Sequence, residues 1–366
     1  MKISILSFYS GHIDRGVERW VEEIATRLAK RNDVLVFQGG DKKTKGYKSR
    51  IIRVCMFGKP RSEEKYLSKL LMDVYWGFLN CIFSLKLLRS LILFKPDIVM
   101  PTNGGVQTLI IKMFSQFFSW KVVITGHAGI GAPDKWNILL RPDIFVSPSK
   151  RGAVWAKKLF FSKGIRIEQI SHGVDLKKFS SKVKMIDIKL ERPIILCVSS
   201  FDSYKRVDLA IKAVSKLDKG NLLVIGGDRE QRKIDSLVHK LLGKNRYLKT
   251  RVKPNEIPKY YASSDIFTLP STENEAFGMV YLEALASGLP VVATDDELRR
   301  EIVGDAGILV DPTDIDSYAK ALEEVLEIDW ENKPRTQAEK FSWEKVVEKY
   351  ENLFEELVQE NKEIQA

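Results

Sequence analysis

Ser271-Thr-Glu-Asn-Glu-Ala-Phe-Gly-Met-Val-Tyr-Leu-Glu-Ala-Leu-Ala-Ser-Gly-Leu-Pro290 lies between two apolar runs. Asp265-Ile-Phe-Thr-Leu-Pro270 before it and Val291-Val-Ala-Thr294 after it both read as buried strands. Gly278 to Ser287 reads as a helix, stopped by Gly288 and by Pro290, which cannot continue it. The unit is therefore strand, acidic loop, helix, strand. Its loop feeds a helix N-terminus, where free backbone N–H groups and the helix dipole favour an anion such as a diphosphate. Glu275 sits in the loop, and Glu283 lies eight residues on, within the helix. Carboxylates set beside such an anion site can accept hydrogen bonds from sugar hydroxyls. Phosphate on the backbone and two sugars on two glutamates would together hold one nucleotide-sugar. Two solvated acids on a surface loop are the plain alternative.

Working outward, strand and helix alternate through both halves of the chain. Lys2 to Phe8 and Asp33 to Gln38 read as strands, with a helix from Val17 to Arg31 between them. Ile51 to Phe57, Lys95 to Pro101, Lys121 to His127, Asp143 to Ser149 and Ile167 to Gly173 continue the strand series. Residues 176–193 are polar and lysine-rich without strong periodicity, as expected of a linker. The pattern restarts at Pro193 to Phe201 and runs to Val310. Such βαβα order implies a parallel sheet covered by helices on both faces, and it occurs twice. Phe341 to Gln365 reads as a charged amphipathic helix. At 366 residues the chain accommodates two cores.

The charge is divided. Residues 1–180 carry 31 Lys/Arg against 14 Asp/Glu, a balance of +17, and the remainder 28 against 34, or −6. One basic half implies one anionic partner for that half. No nucleic-acid motif accompanies it, nor a stripe of aromatics interleaved with basics. An anionic membrane surface is the first candidate, and nucleic acid is not expected. The apolar stretch from Tyr66 to Phe94 is broken by Asp73, Lys86 and Arg89, and its longest uncharged run, Val74 to Leu85, is too short to span a bilayer. It is either a core helix or one lying in the membrane interface with its cations snorkelling. Cys55, Cys81 and Cys197 are far apart and form no CxxC pair, which fits a reducing compartment. Met1 to Tyr9 lacks a secretory apolar core. The expected location is cytoplasmic, peripheral on the inner face of the membrane.

The string from Glu275 through Glu283 to Gly288, Pro290 and Thr294 resembles the E-x7-E signature of the GT-B glycosyltransferases of family 4. The resemblance covers nearly the whole chain, most sharply 194–347. It implies two Rossmann-like doubly wound parallel-sheet domains facing a cleft, with the last helix crossing back to the N-terminal domain. The boundaries expected are 1–175 with 343–366, a linker at 176–193, and a donor domain at 194–342. By the same resemblance Glu283 holds ribose hydroxyls and Glu275 lies near the donor sugar. Phe277, Gly278, Met279 and Val280 present backbone to the donor. His127, in Thr125-Gly-His127-Ala-Gly-Ile-Gly131, matches a histidine that faces the donor sugar. Gly16 and Glu18 match a glycine-rich loop after the first strand, with Arg15 where its first glycine would stand. Ser171-His-Gly-Val-Asp175 resembles the family hinge, with His172 in an asparagine's place.

A nucleotide-sugar leaves a diphosphate whose charge must be stabilised. Tyr204-Lys205-Arg206 with Asp208 resembles the donor-side loop of one branch of the family, which makes Lys205 the diphosphate contact. The family's upstream arginine falls at Ser199-Ser200, so Ser200 takes its place in the donor-binding set, and Arg206 or Arg15 is left as the substitute. Asp314-Ile-Asp316 has the form of a metal motif but follows Pro312 at a helix start, where capping explains it. Neither metal nor cofactor is expected. The resemblance implies transfer with retention of configuration, from a UDP- or GDP-sugar to a glycan or lipid-linked acceptor. A non-catalytic nucleotide-sugar or glycan-binding protein is the alternative. A sugar-nucleotide epimerase ranks below it, and a nucleic-acid glucosyltransferase is favoured by the charge alone.

Overall fold

The computed structural model describes residues 1–13, 15–42, 45–55, 69–227, 230–243 and 245–365. The chain divides into two compact units, Met1–His172 joined by the stretch from Trp343, and Gly173–Ser342.

The first unit is built on seven strands: β1 (Lys2–Ser7), β2 (Asp33–Gln38), β3 (Lys48–Ile51), β4 (Ile98–Pro101), β5 (Lys121–Thr125), β6 (Ile144–Ser147) and β7 (Arg166–Gln169). Their order is β3-β2-β1-β4-β5-β6-β7, and every pairing is parallel. Helices α1 (Gly16–Leu28), α2 (Lys69–Phe94), α3 (Gly105–Ser115), α4 (Ala132–Leu139) and α5 (Lys150–Lys158) make the crossovers. Burial on both sides explains why the inner strands are almost wholly apolar. The edge strand differs. It was expected over Ile51–Phe57, but β3 ends at Ile51, and residues 56 and 57 lie outside the described part. Its Lys48-Ser-Arg-Ile51 alternates in exposure, and Lys48 pairs with Asp33 of β2 at 2.6 Å. An edge strand carries charge to discourage further pairing, which disguises it as a loop in sequence.

Helix α2 covers the sheet with Leu79, Phe83, Leu87, Leu88 and Leu91, all buried, while Leu71, Val74, Phe78, Leu85 and Leu93 are exposed. The uncharged run Val74–Leu85 was expected to be too short to span a bilayer, but the helix Leu71–Phe94, its charged residues included, is by length and composition alone long and apolar enough to cross one. Residues 66–68 of the apolar stretch lie outside the described part.

The second unit has six parallel strands: β8 (Ile194–Ser199), β9 (Asn221–Gly226), β10 (Tyr247–Thr250), β11 (Ile266–Leu269), β12 (Val291–Thr294) and β13 (Gly307–Val310). Their order is β10-β9-β8-β11-β12-β13. The helices are α6 (Val207–Lys216), α7 (Gln231–Leu241), α8 (Ile257–Ala262), α9 (Met279–Ala286), α10 (Glu297–Val303), α11 (Ile315–Glu327) and α12 (Lys333–Glu339). The expected linker, 176–193, is part of this unit. Phe179 and Ile188 are buried in its core, and Arg335 donates to the carbonyls of Leu176 (2.9 Å) and Phe179 (2.8 Å). A few well-spaced apolar residues anchor a segment whose overall composition is polar.

The last helix, α13 (Trp343–Gln365), packs in the first unit. Its Trp343, Val346, Tyr350, Phe354 and Leu357 enter one core cluster with Trp20, Val21 and Ile24 of α1. The Tyr350 hydroxyl meets Thr125 Oγ1 at 3.0 Å, and Arg27 lies 5.6 Å over the Trp343 ring.

In each sheet the strand order reverses beside the first strand of the set, between β1 and β4 and between β8 and β11. Doubly wound sheets bind ligands outside the carboxyl ends of the strands at this reversal. Lys205 follows β8 and the acidic loop follows β11, so the two donor-side segments flank one such point.

Candidate functional site

Helix α9 is apolar apart from Glu283, and its residues from Tyr281 to Ala286 are buried. That burial fixes its axis, and the axis fixes its N-terminus. Gly278 is the N-cap, at φ 85°, and no side chain caps it. A Cβ there would lie 2.6 Å from the Tyr281 ring, so glycine is required both for the turn and for the space. Gly278, Met279 and Val280 occupy the positions at which a helix's N–H groups lack intrahelical acceptors. Phe277 is 1% exposed and packs near Phe341, so its side chain belongs to the core and only its backbone faces the loop.

Glu283 is buried one and a half turns into α9. The hydroxyl of Tyr261, itself fully buried, donates to its Oε2 at 3.0 Å. A carboxylate has about four acceptor sites, and this bond takes one while fixing the rotamer.

Lys205 and Glu275 form an ion pair. A 3-10 turn, Ser203–Lys205, follows β8 and carries Lys205. The loop that carries Glu275 is tied to it by the Thr272 N–H, which donates to the Tyr204 carbonyl at 2.7 Å. Burial alone would lower the Lys205 pKa, but Glu275 and then Tyr204 outweigh it and hold the ammonium above its ordinary range. The ring of Tyr204 lies 4.9 Å beneath the ammonium.

Arg206 adopts a left-handed conformation, φ 51°. Its guanidinium donates to the carbonyls of Pro270 (2.6 Å) and Ser271 (3.2 Å) and to Thr294 Oγ1 (3.1 Å). Burial and then the neighbouring Arg299 lower its pKa. This side chain braces the loop. Ser200 Oγ donates to Asp202 at 2.7 Å, and Ser199 Oγ to the Ser200 carbonyl at 2.7 Å, so both serines are locally engaged. Asp314 caps α11, accepting from the N–H groups of Asp316 and Ser317, both at 3.1 Å.

In the first unit, exposed Gly16 opens α1, where the Arg15 N–H donates to Glu18 at 3.2 Å. His127 follows β5. Its ring meets the edge of Trp20 with centroids 4.7 Å apart and stacks on His172 at 5.4 Å. Burial lowers the His127 pKa to about 4, and burial together with His127 holds His172 well below its usual range. His127 Nε2 is buried without a hydrogen-bond partner among the described residues. A neutral imidazole in that state can give or take a hydrogen bond from a hydroxyl.

Sequence reasoning missed Tyr261 and Arg299. Arg299 had a signal: in α10 it shares a helical face with Leu298, Ile302 and Val303, all buried. A cation on an apolar stripe demands buried acceptors.

Residues 179–342 match the family model described as glycosyl transferases group 1. The chain is 24% identical over 310 residues to the sulfoquinovosyl transferase SQD2 of Arabidopsis thaliana, covering 75% of this chain and 59% of that protein. It is 29% identical over 185 residues to a GDP-mannose-dependent alpha-(1-6)-phosphatidylinositol monomannoside mannosyltransferase of Mycolicibacterium smegmatis, covering 45% and 48%. The matches thus span about half the length of these curated relatives. Sucrose-phosphate synthase from Thermosynechococcus elongatus has the same fold, with TM-score 0.79 and 19% identity over 97% of this chain and 98% of that one. Residues 179–342 belong to the group 1 glycosyl transferases of family 4, and the chain has the GT-B fold.

Proposed function

We propose that this protein is a retaining glycosyltransferase that moves a sugar from a UDP- or GDP-sugar to a glycan or lipid-linked acceptor. The observation that carries the reading is the convergence of Lys205, Glu275 and the uncapped start of α9 beside the β8–β11 reversal, with Glu283 one and a half turns further on. Lys205 and the α9 N–H groups would take the diphosphate, whose charge grows as the glycosidic bond breaks. Glu283 would accept from the ribose, and Glu275 and His127 would face the donor sugar. Stabilisation of the oxocarbenium centre would fall mainly to the leaving diphosphate. The mannosyltransferase relative is named for GDP-mannose and a phosphatidylinositol mannoside, which supports a nucleotide-sugar donor and a lipid-linked acceptor here. A thermal-shift screen of UDP-, GDP- and ADP-sugars, followed by nucleotide release with and without acceptor, tests the reading. Failure of every nucleotide to shift the melting curve would sink it. No metal is assigned, so activity should survive EDTA.

A binding protein without turnover remains the second reading, because Ser199-Ser200 replace the family's arginine and Arg206 is committed to loop carbonyls. Donor binding without nucleotide release in any acceptor pool would favour it.

The basic half would bring the enzyme to an anionic membrane. Supporting this, Leu93, Met113, Phe117, Trp136 and Phe160 are exposed in the first unit, whose residues 1–172 carry 29 Lys/Arg against 13 Asp/Glu, or +16, and whose residues 343–366 carry 3 against 7, or −4. Apolar contacts and lysines act together at such surfaces. Flotation with anionic and neutral vesicles at low and high salt is the test, and no binding to anionic vesicles at low salt would point to a soluble acceptor.

A further inference from the structure

Arg299 is fully buried, yet it is a cation. Its Nη2 donates to the carbonyl of Ser271 (2.5 Å), to Ser271 Oγ (2.9 Å) and to the carbonyl of Thr272 (2.7 Å). Its Nη1 lies 2.7 Å from Asp296. Arg206 meets the same loop at the carbonyls of Pro270 and Ser271. Three consecutive carbonyls are therefore held by two guanidinium groups. Peptide planes are rigid, so fixing the carbonyls fixes the amides between them. The Thr272 N–H is thereby directed at the Tyr204 carbonyl beside Lys205. The Thr272 carbonyl accepts from both Arg299 and the Glu275 N–H, the latter at 3.1 Å. One shared acceptor thus separates Arg299 from the backbone of Glu275.

A buried charge is retained only where its acceptors converge, and here nearly all of them belong to one loop. We infer that Arg299 is a positioning residue for Glu275: its guanidinium sets the path of the 270–275 loop and thereby the place of the carboxylate. One nitrogen, Nη2, meets both carbonyls while Nη1 meets Asp296, so the planar guanidinium ties the loop to α10, a double link that the single nitrogen of a lysine ammonium cannot hold in the same way. The effect on turnover rests on the transferase reading proposed above. The effect on the loop does not.

Arg299→Met and Arg299→Lys test the inference by amide hydrogen exchange and by kinetics on the full chain. Exchange at the Thr272 and Glu275 amides should accelerate at least about tenfold in both variants, while β8 and β9 keep their protection. Turnover should fall by about 10²-fold, the scale of a misplacement of about 1 Å, with donor KM moving far less. Millimolar guanidinium should restore part of the activity of Arg299→Ala. Wild-type exchange at both loop amides in the lysine variant, which keeps the charge if the methionine variant does not fold, overturns the inference. Slower turnover with unchanged loop exchange overturns it equally. If the wild-type protein turns over no donor, the exchange result alone decides, and only the transferase reading is lost.

Discussion

Lys205 and Glu275, seventy residues apart in sequence, are paired at side-chain exposures of 13% and 10%. A diphosphate arriving at this site would have to draw the ammonium away from a carboxylate already holding it. Lys205→Ala should reduce turnover by about 10²-fold or more, the scale for one preorganised charge donor. Glu275→Gln frees the ammonium and should bind nucleoside diphosphate at least as tightly as wild type while losing turnover. Calorimetry with UDP and GDP, set against steady-state rates, separates the two effects. Normal turnover in Lys205→Ala would remove it from the leaving-group site.

Glu283 should behave differently, because its bonds would be to the nucleoside. Glu283→Ala is expected to weaken nucleoside diphosphate binding by about 1.5–3 kcal/mol, the range for a hydrogen bond to a charged group. Tyr261→Phe keeps the ring in the core and removes only the hydroxyl that fixes Glu283. It should cost about 0.5–1.5 kcal/mol of the same affinity. Equal affinity in all three proteins would show that Glu283 is a core carboxylate and nothing more.

The strand–helix alternation made the two sheets legible, because inner parallel strands must be apolar on both faces. The α9 unit was legible for a further reason: Gly278, Gly288 and Pro290 punctuate it within a few residues. What composition hid was governed by exceptions. Edge strand β3 is charged, so the strand was expected later, over Ile51–Phe57, and the polar stretch 176–193 is held by two apolar anchors and one arginine. At the site, sequence pointed to Lys205 and Glu275 separately, and the resemblance gave both roles. Their pairing is a tertiary fact. Arg206 shows the limit most clearly. Its charge suggested a diphosphate ligand, but its direction is set by a left-handed backbone that aims the guanidinium at Pro270 and Ser271.

Helix α13 offers a test of how the first unit is held together. Trp343 is 2% exposed, within the cluster formed with α1. Trp343→Ala should destabilise that unit by about 3–5 kcal/mol, the range for deleting a large buried aromatic ring. Denaturant titration should show this as an earlier transition for the first unit, with nucleotide affinity of the other unit retained. A change below about 1 kcal/mol would mean that the ring's pocket collapses readily.

His127 supplies a pH dependence whose sign follows from its burial. Its pKa in the folded chain is lowered to about 4, against about 6.5 in an unfolded chain. Between those values the unfolded state binds the proton and the folded state does not, so stability rises with pH across the window and is lost as pH falls through it. The loss attributable to this one group amounts to roughly 3 kcal/mol when complete. His172, lowered by the same burial, should add to it in the same direction. Asp134 opposes both, since burial raises its carboxyl to about 6 and its protonation therefore favours the folded state as pH falls. A bare stability profile would mix these contributions. The difference between wild type and His127→Gln cancels Asp134, which is common to both proteins, and leaves the contribution of His127 together with its effect on His172. Urea midpoints measured from pH 7 to pH 4.5 should fall more steeply for the wild type than for the glutamine variant. Parallel profiles would mean that the His127 ring reaches solvent and is not held neutral by the Trp20–His172 pocket.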